Sequence, residues 1–481
     1  MLAAAFAVSV LAPACAQAEE YLHLPGVVHL QTEGASLTGG MSVERMVAEV
    51  EKSGLGVAVI TDHDNMRVEY GIFPLSGIIK KTAVATSIRT SGPDRYLAEI
   101  REAGERHPGV IVIPGTEAVP AYYWEGSYVG HDLSLHNWHR HILLIGMERP
   151  EDYEGLPSVG EGFPLKPGVS CIINLWPAAL VISGVWLFRY NRKKTVHFGA
   201  SSMTVLVRPY RAMGGLVFVA GVALIYNNYP YCNARYDQYH GDQGYGPYQE
   251  VIDYAAVRGA LTFWAHPDVK SDETYEGVRM ETLPYPEAML RTAGYTGFAA
   301  QQEGERFTAV PGGTWDRALM EYCKGTKEKP AWALGELDYK EGGWMGDTQT
   351  VFLVKEKTKT EVMSAMREGR MYSVTGDYKP VLRDFRVSDT ATGGTATMGG
   401  EAACSGNPAV RVSMNVPGRW PRKLILIRDG KAIKTFEAAG DVEISYEDKD
   451  APGAGLGYYR LMVERGIVTN PVFVRYGRGR T

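Results

Sequence analysis

The sequence predicts an α/β fold: a β/α barrel interrupted by a two-helix hydrophobic hairpin and followed by an antiparallel β-sandwich. Three observations carry this. Short apolar runs alternate with capped amphipathic segments on both sides of residues 170–231, as strands and helices do in a mainly parallel sheet or barrel. Two long apolar runs break that alternation once. From about Asp377 onward the pattern changes to short strands joined by turns, about 100 residues of the kind that builds a small sandwich.

At 481 residues the chain exceeds one ordinary domain. Charged residues are 22%, apolar residues 45% and the net charge is -5, a globular composition without the basic footprint of a nucleic-acid binder. The five cysteines form no close-spaced set, which excludes a zinc finger.

Residues 1–18 read as a secretory signal. Leu2 to Leu11 is apolar, and Ala16-Gln17-Ala18 is a small-x-small cleavage site. A first barrel half is expected over 19–165. Val27–Leu30 is a short strand there. Ser42 caps a helix that Gly54 stops. Gly56–Ile60 is a buried strand ending in Thr61-Asp62-His63. Asp94–Arg106 is helical, Val110–Ile113 is a strand running into Pro114-Gly115-Thr116-Glu117, and His141–Ile145 is a fourth strand.

Cys171–Phe188 is apolar and long enough to span a bilayer. Arg189, Arg192, Lys193, Lys194, Arg208 and Arg211 follow, then a second, shorter apolar run, Met213–Tyr226. Basic residues between two apolar runs mark a cytoplasmic loop, and Trp176, Trp186, Tyr190, Tyr226, Tyr229 and Tyr231 suit interfacial anchoring. Residues 170–231 are therefore expected to be a transmembrane hairpin, the alternative being a buried helical hairpin. Cys171 and Cys232 bracket it at one end, either as a disulfide or as two buried thiols.

The second barrel half is expected over 232–372. Tyr248–Arg258 is helical, Ala260–Trp264 is a strand leading to His266, and Thr314–Tyr322 is helical. Ala331–Leu334 is a strand leading to Glu336 and Asp338, and Gly369 closes a helix over Thr360–Glu368. In 377–481, Asp429-Gly430 is a strong hairpin turn between strands.

Four runs carry the chemistry: Val28-His29-Leu30-Gln31-Thr32, Thr61-Asp62-His63-Asp64, Trp264-Ala265-His266-Pro267 and Gly335-Glu336-Leu337-Asp338. An α/β barrel collects its reactive groups at the C-terminal ends of its strands. His29, His63, Glu117, His266 and Asp338 stand at or just past such ends, whereas His141 opens its strand. Imidazoles and carboxylates so arranged suit divalent ions that activate water.

These motifs resemble the polymerase and histidinol phosphatase (PHP) superfamily of metal-dependent phosphoesterases, in particular its carbaryl-hydrolase-like branch with a β-rich C-terminal domain. The resemblance covers about residues 26–370, interrupted by the apolar insertion. His29-Leu30-Gln31 matches the family's His-x-His, and Thr61-Asp62-His63 its Thr-Asp-His. Glu117 matches a glutamate after a Pro-Gly turn, His141 a histidine before an apolar strand, His266-Pro267 a His-Pro, and Asp338-Tyr339-Lys340 a closing Asp-x-His. The resemblance implies a distorted seven-stranded, TIM-like barrel and the metal ligands His29, His63, Glu117, His141, His266 and Asp338.

Two family ligands are replaced. Gln31 stands where the second histidine belongs, and Lys340 where the last one does. A glutamine oxygen is a poor zinc ligand, and an ammonium is none. Two ions (zinc, manganese or iron) sharing Glu117 are expected rather than three. Asp62 and Lys340 are the candidate catalytic residues: Asp62 orients a ligand from behind, and Lys340 holds a substrate anion. His139 is an alternative to His141, and Glu336 a possible replacement carboxylate. His131 and His136 are expected in surface loops; His23, His107, His197 and His240 receive no role.

The expected function is an exported, membrane-anchored hydrolase, with its catalytic domain outside the cytoplasm and a small-molecule phosphoester as substrate. Ester or carbamate hydrolysis is permitted by the branch. The alternative is a catalytically retired ectodomain that binds a ligand or partner.

Overall fold

The computed structural model describes residues 21–33, 40–339 and 343–477. The expected signal segment and Lys340 lie outside them. Within them the chain is mixed α/β with large sheets.

Seven strands stand side by side in sequence order: β1 (Leu22–Leu30), β2 (Val57–Ile60), β3 (Ile111–Ala118), β4 (Ile142–Ile145), β5 (Leu261–Trp264), β6 (Gly297–Gln301) and β7 (Trp332–Gly335). β2, β4, β5 and β7 are buried along their whole length, the mark of strands covered on both faces. β1, β2 and β3 run parallel, as do β5, β6 and β7. β4 is the exception and pairs antiparallel with both β3 and β5. Its start therefore lies at the same end of the sheet as the finishing ends of its neighbours. Beyond β7, the Leu337 and Tyr339 amides donate to Val28 O (2.8 Å) and His29 O (3.3 Å), carrying this segment across to the end of β1.

The helices form where the sequence places caps and stripes. In Val43–Lys52 the Ser42 hydroxyl accepts from Arg45 N, and Val43, Met46, Val47 and Val50 bury one face at helical spacing. Lys359–Glu368 ends at Gly369, which takes the left-handed conformation.

Two strands without a sequence signal complete the frame. β6 has the weakly patterned sequence Gly-Phe-Ala-Ala-Gln. β8 (Thr348–Val354) pairs antiparallel with β1 and with β9 (Met371–Thr375), which in turn pairs with Ile467–Thr469. The sheet thus runs without a break from the seven strands into the C-terminal region. There, strands 381–389, 408–416 and 440–447 form a second sheet, and residues of both sheets (Leu382, Phe385, Val412, Leu424, Leu461, Val472) share a core. Asp429 and Gly430 both have positive φ in the tight turn between strands 422–428 and 431–438.

The apolar insertion forms helices at Val169–Ile173, Ala178–Arg189 and Arg211–Asn227, with a β-ribbon (Arg192–Phe198, Ser201–Val207) between the last two. Val169–Arg189 is long and apolar enough to cross a membrane, with a mean hydropathy of 1.9. The long helices meet through glycine. A Cβ on Gly184 would come within 2.5 Å of Phe218 N, and one on Gly214 within 2.4 Å of Phe188 N. The large side chains Ile172, Ile182, Trp186, Leu216 and Val219 face outward instead. Cys171 and Cys232 are bridged, with Cα atoms 4.3 Å apart.

Candidate metal centre

His29, His63, Glu117, His141, His266 and Asp338 come together at one end of the seven-stranded sheet. β1, β3 and β7 bring their residues there on parallel strand ends. The reversal of β4 brings His141 there from a strand beginning. Glu117 lies within β3, because β3 continues five residues, to Ala118, beyond the apolar stretch that marks it in the sequence. His29, His266 and Asp338 all have positive φ, a conformation that costs a non-glycine residue energy and is concentrated at functional sites.

Glu117 is the hub and is buried. Its Oε2 lies 2.9 Å from His29 Nε2 and 3.3 Å from His63 Nδ1. Its Oε1 faces His141 Nδ1 and lies 3.2 Å from His266 Nε2. Each oxygen thus faces a different pair of imidazoles. Asp338 Oδ1 stands 3.9 Å from His29 Nε2 and is the most open member of the group.

Three of the imidazoles have their other nitrogen held. His29 Nδ1 donates to Glu336 Oε2 (3.0 Å), His141 Nε2 to Trp138 O (2.7 Å) and His266 Nδ1 to the Tyr285 hydroxyl oxygen (3.2 Å). Such bonds fix ring direction and aim the other nitrogen at Glu117, where it can coordinate once it carries no proton. Among the described residues, buried His63 Nδ1 has no hydrogen-bond partner, although Glu117 Oε2 lies 3.3 Å from it. Buried nitrogen without a partner is costly, and a cation is the partner this geometry suits. His63, Glu117 and His141 each offer a ligand atom within 4.8 Å of the others, a group that can hold a metal ion.

Glu336 Oε1 also accepts from His266 N at 2.6 Å, so one buried carboxylate sets two of the histidines. Asp62 acts elsewhere. Its oxygens accept from Thr32 N (2.5 Å) and Thr32 Oγ1 (2.7 Å), anchoring the chain just past Gln31. Gln31 occupies the centre: its Nε2 donates to Glu117 Oε2 (2.5 Å) and lies within 3.5 Å of His63 Nε2. His139 adjoins His141, with ring centroids 5.9 Å apart. Tyr285 had no signal in the sequence, being a lone tyrosine in a loop. Glu336 was legible as a carboxylate two residues before Asp338, although its partners were not.

The electrostatics follow from burial and from these pairs. Burial alone would raise the Glu117 carboxyl, but His29, His141 and His63 outweigh it and hold the group well below the usual carboxylate range. Burial would lower His29; Glu117 and Glu336 reverse this and hold it well above its ordinary value. By the same contest His266 is raised to about 9. His63 goes the other way, lowered to about 4 by burial, which Glu117 does not offset. Burial raises Asp62 to about 7 against the bonds from Thr32.

A cleft of about 390 Å³, bordered by His266, Glu303, Asp338, Trp344 and Asp347, opens on the centre. A larger cavity of about 1100 Å³ lies between the two sheets, near His23, Trp332 and Tyr372, and borders none of the six residues. The cleft, not the larger cavity, borders the imidazole–carboxylate cluster.

The fold and centre together define the class: an α/β protein with a buried imidazole–carboxylate centre able to bind divalent metal. No protein-family model and no curated protein matches the chain. Among solved structures it is similar to a two-domain protein from Bacteroides vulgatus containing a predicted PHP-like metal-dependent phosphoesterase. That likeness is 10% identity over 92% of each chain, with a TM-score of 0.34.

Proposed function

We propose that this chain is an exported, membrane-anchored, metal-dependent hydrolase acting on a phosphoester. The observation that carries the reading is Glu117, whose two oxygens each face a separate pair of imidazoles. A carboxylate shared in this way suits a two-ion site.

In this reading His29, His63, Glu117, His141, His266 and Asp338 hold two ions of zinc, manganese or iron. Bound there, such ions supply a water acidic enough to attack at neutral pH and a clamp for the attacking and leaving oxygens. Glu336 and Tyr285 orient the imidazoles. Asp62 positions the Gln31–Thr32 segment. Lys340 holds a substrate anion. The phosphoester class rests on the motif resemblance and on a cleft open to small molecules. A second reading, a retired centre that binds a ligand or partner, is favoured by one observation: the Gln31 amide hydrogen-bonds the carboxylate that the ions would share.

Metal titration separates the two. Glu117 and Glu336 hold His29 and His266 above the ordinary imidazole value while the centre is metal-free, favouring their protonated forms, and a ligand imidazole must give up that proton. Adding zinc to chelator-treated protein should load about two ions per chain and release protons. Affinity should rise from pH 6 to pH 8, roughly tenfold per pH unit for each proton displaced. Uptake well below one ion per chain, without phosphodiesterase activity, leaves the binding-module reading.

The proposed topology places both sheet halves outside the cytoplasm and the ribbon between Arg189 and Arg211 inside. It is supported by the outward-facing apolar helices and by the basic residues gathered at their far end. A compartment-sensitive reporter inserted at Lys194 should read as cytoplasmic, and one at Gly418 as external. Both on one side would remove the membrane-spanning reading.

A further inference from the structure

The hairpin of strands Arg67–Gly71 and Lys80–Val84 turns through eight residues, Ile-Phe-Pro-Leu-Ser-Gly-Ile-Ile. This tip is apolar and exposed: Phe73 is 89% accessible, and Ile72, Ile78 and Ile79 are exposed as well. Large apolar side chains grouped on a protruding turn are costly in water and mark a contact surface.

The tip is not free to point anywhere. It is fastened to the base of the apolar helix pair, the end that carries the Cys171–Cys232 bridge. Asn227, the last residue of its helix, donates from Nδ2 to Pro74 O (3.1 Å) and accepts from Gly77 N at Oδ1 (3.0 Å). Gly77 permits the approach, since a Cβ there would lie 2.3 Å from Asn227 O. Trp176, Tyr226 and Tyr229 surround the same helix base with their rings exposed. Aromatic rings at one level of an apolar helix pair mark the boundary between hydrocarbon and headgroups. Lys80 and Lys81 follow the tip but pair with Glu69 and Glu276, so the tip's unpaired surface is the apolar one.

We infer that the tip of residues 72–79 is a second membrane contact, with Phe73 and Ile78 dipping into the interfacial layer beside the helices. It would seat the metal-binding domain on the bilayer at a fixed tilt, where two helices alone would leave it to swing. The occupant is lipid because the tip is continuous with the helix surface that the membrane reading already assigns to lipid. The inference rests on that reading.

The test uses the full-length chain in liposomes. An environment-sensitive nitrobenzoxadiazole label is attached through Phe73→Cys, Ile182→Cys or Glu437→Cys, each with Cys323→Ala. Nitroxide lipids that quench at shallow or deep positions then locate each label. The Ile182→Cys label should be quenched by deep nitroxides and the Phe73→Cys label about twofold by shallow ones; the Glu437→Cys label should respond to neither. Quenching at Ile182→Cys without quenching at Phe73→Cys overturns the tip contact and leaves the helices in the membrane. No quenching at either overturns both. A protein partner on the tip in place of lipid would give that first, overturning result.

Discussion

Glu117→Ala is expected to empty the metal centre. The variant removes both oxygens that the four imidazoles face, so neither half of the centre keeps its shared ligand. It also removes the negative charge that offsets His29 and His266, leaving buried imidazoles with less to stabilise their cationic forms. Bound metal should fall from about two ions per chain to none, and phosphodiesterase activity by at least ~10²-fold. That exceeds the roughly 10–100-fold loss expected when an orienting group such as Glu336 is removed. Glu117→Gln keeps the volume and separates lost charge from lost packing. Metal analysis of the folded variant decides the matter. Full occupancy in Glu117→Ala would show that the imidazoles bind metal without it and would end the two-ion reading.

The second large effect concerns stability. Asp316, on the helix Thr314–Cys323, meets Arg460, on a C-terminal strand, in a fully buried ion pair with Nη2–Oδ2 at 2.6 Å. Most of the pair's polar atoms are satisfied, Arg460 Nη1 being the exception among the described residues. Arg460 Nε donates to Asp316 Oδ1 (2.7 Å), Nη2 donates to Ala309 O (3.0 Å), and the Tyr458 hydroxyl donates to Asp316 Oδ1 (2.8 Å). The guanidinium also lies 4.6 Å from the centroid of the Trp315 ring. Asp316→Ala strands a guanidinium in the interior and should cost about 3–5 kcal/mol. Asp316→Leu with Arg460→Met removes both charges and should cost much less, because no charge is left uncompensated. Chemical denaturation followed by tryptophan fluorescence compares the two. If the single variant is no less stable than the double, the pair does not hold the C-terminal region to the strands before it.

The Cys171–Cys232 bridge closes a loop of 61 residues of sequence separation. In the chain-entropy account a loop of that size stabilises by about 4 kcal/mol. The bridge therefore secures the two ends of the apolar insertion to each other.

Much of this was legible in the sequence. Val57–Ile60 and Leu261–Trp264 are apolar runs ending in Asp62-His63 and His266, and such runs are strands buried on both faces. Ser42 and Gly369 announced helix ends through the chemistry of caps. Asp429-Gly430 announced its turn, because both residues tolerate positive φ. The two cysteines at matching ends of the apolar insertion announced a possible bridge. These are local properties: burial periodicity, capping and turn conformation depend on neighbours along the chain.

Only the tertiary structure decided the rest. The sequence placed His141 at the start of a strand, which would put it at the wrong end of a parallel sheet. β4 runs antiparallel, and that reversal delivers His141 to Glu117. The sequence cannot state strand direction, since a short apolar run reads alike both ways. It marked Asp62 as a residue orienting a ligand from behind; in the structure Asp62 accepts from Thr32 N and Oγ1, and Glu336 is the carboxylate bonded to His29 and to the His266 backbone. β6 and β8 were silent because short or weakly alternating segments become strands only when neighbours supply the pairing. The types of residue that do the chemistry are written in the sequence. Which atoms meet is set by contacts between residues far apart in it, through packing and hydrogen bonding that no local pattern records.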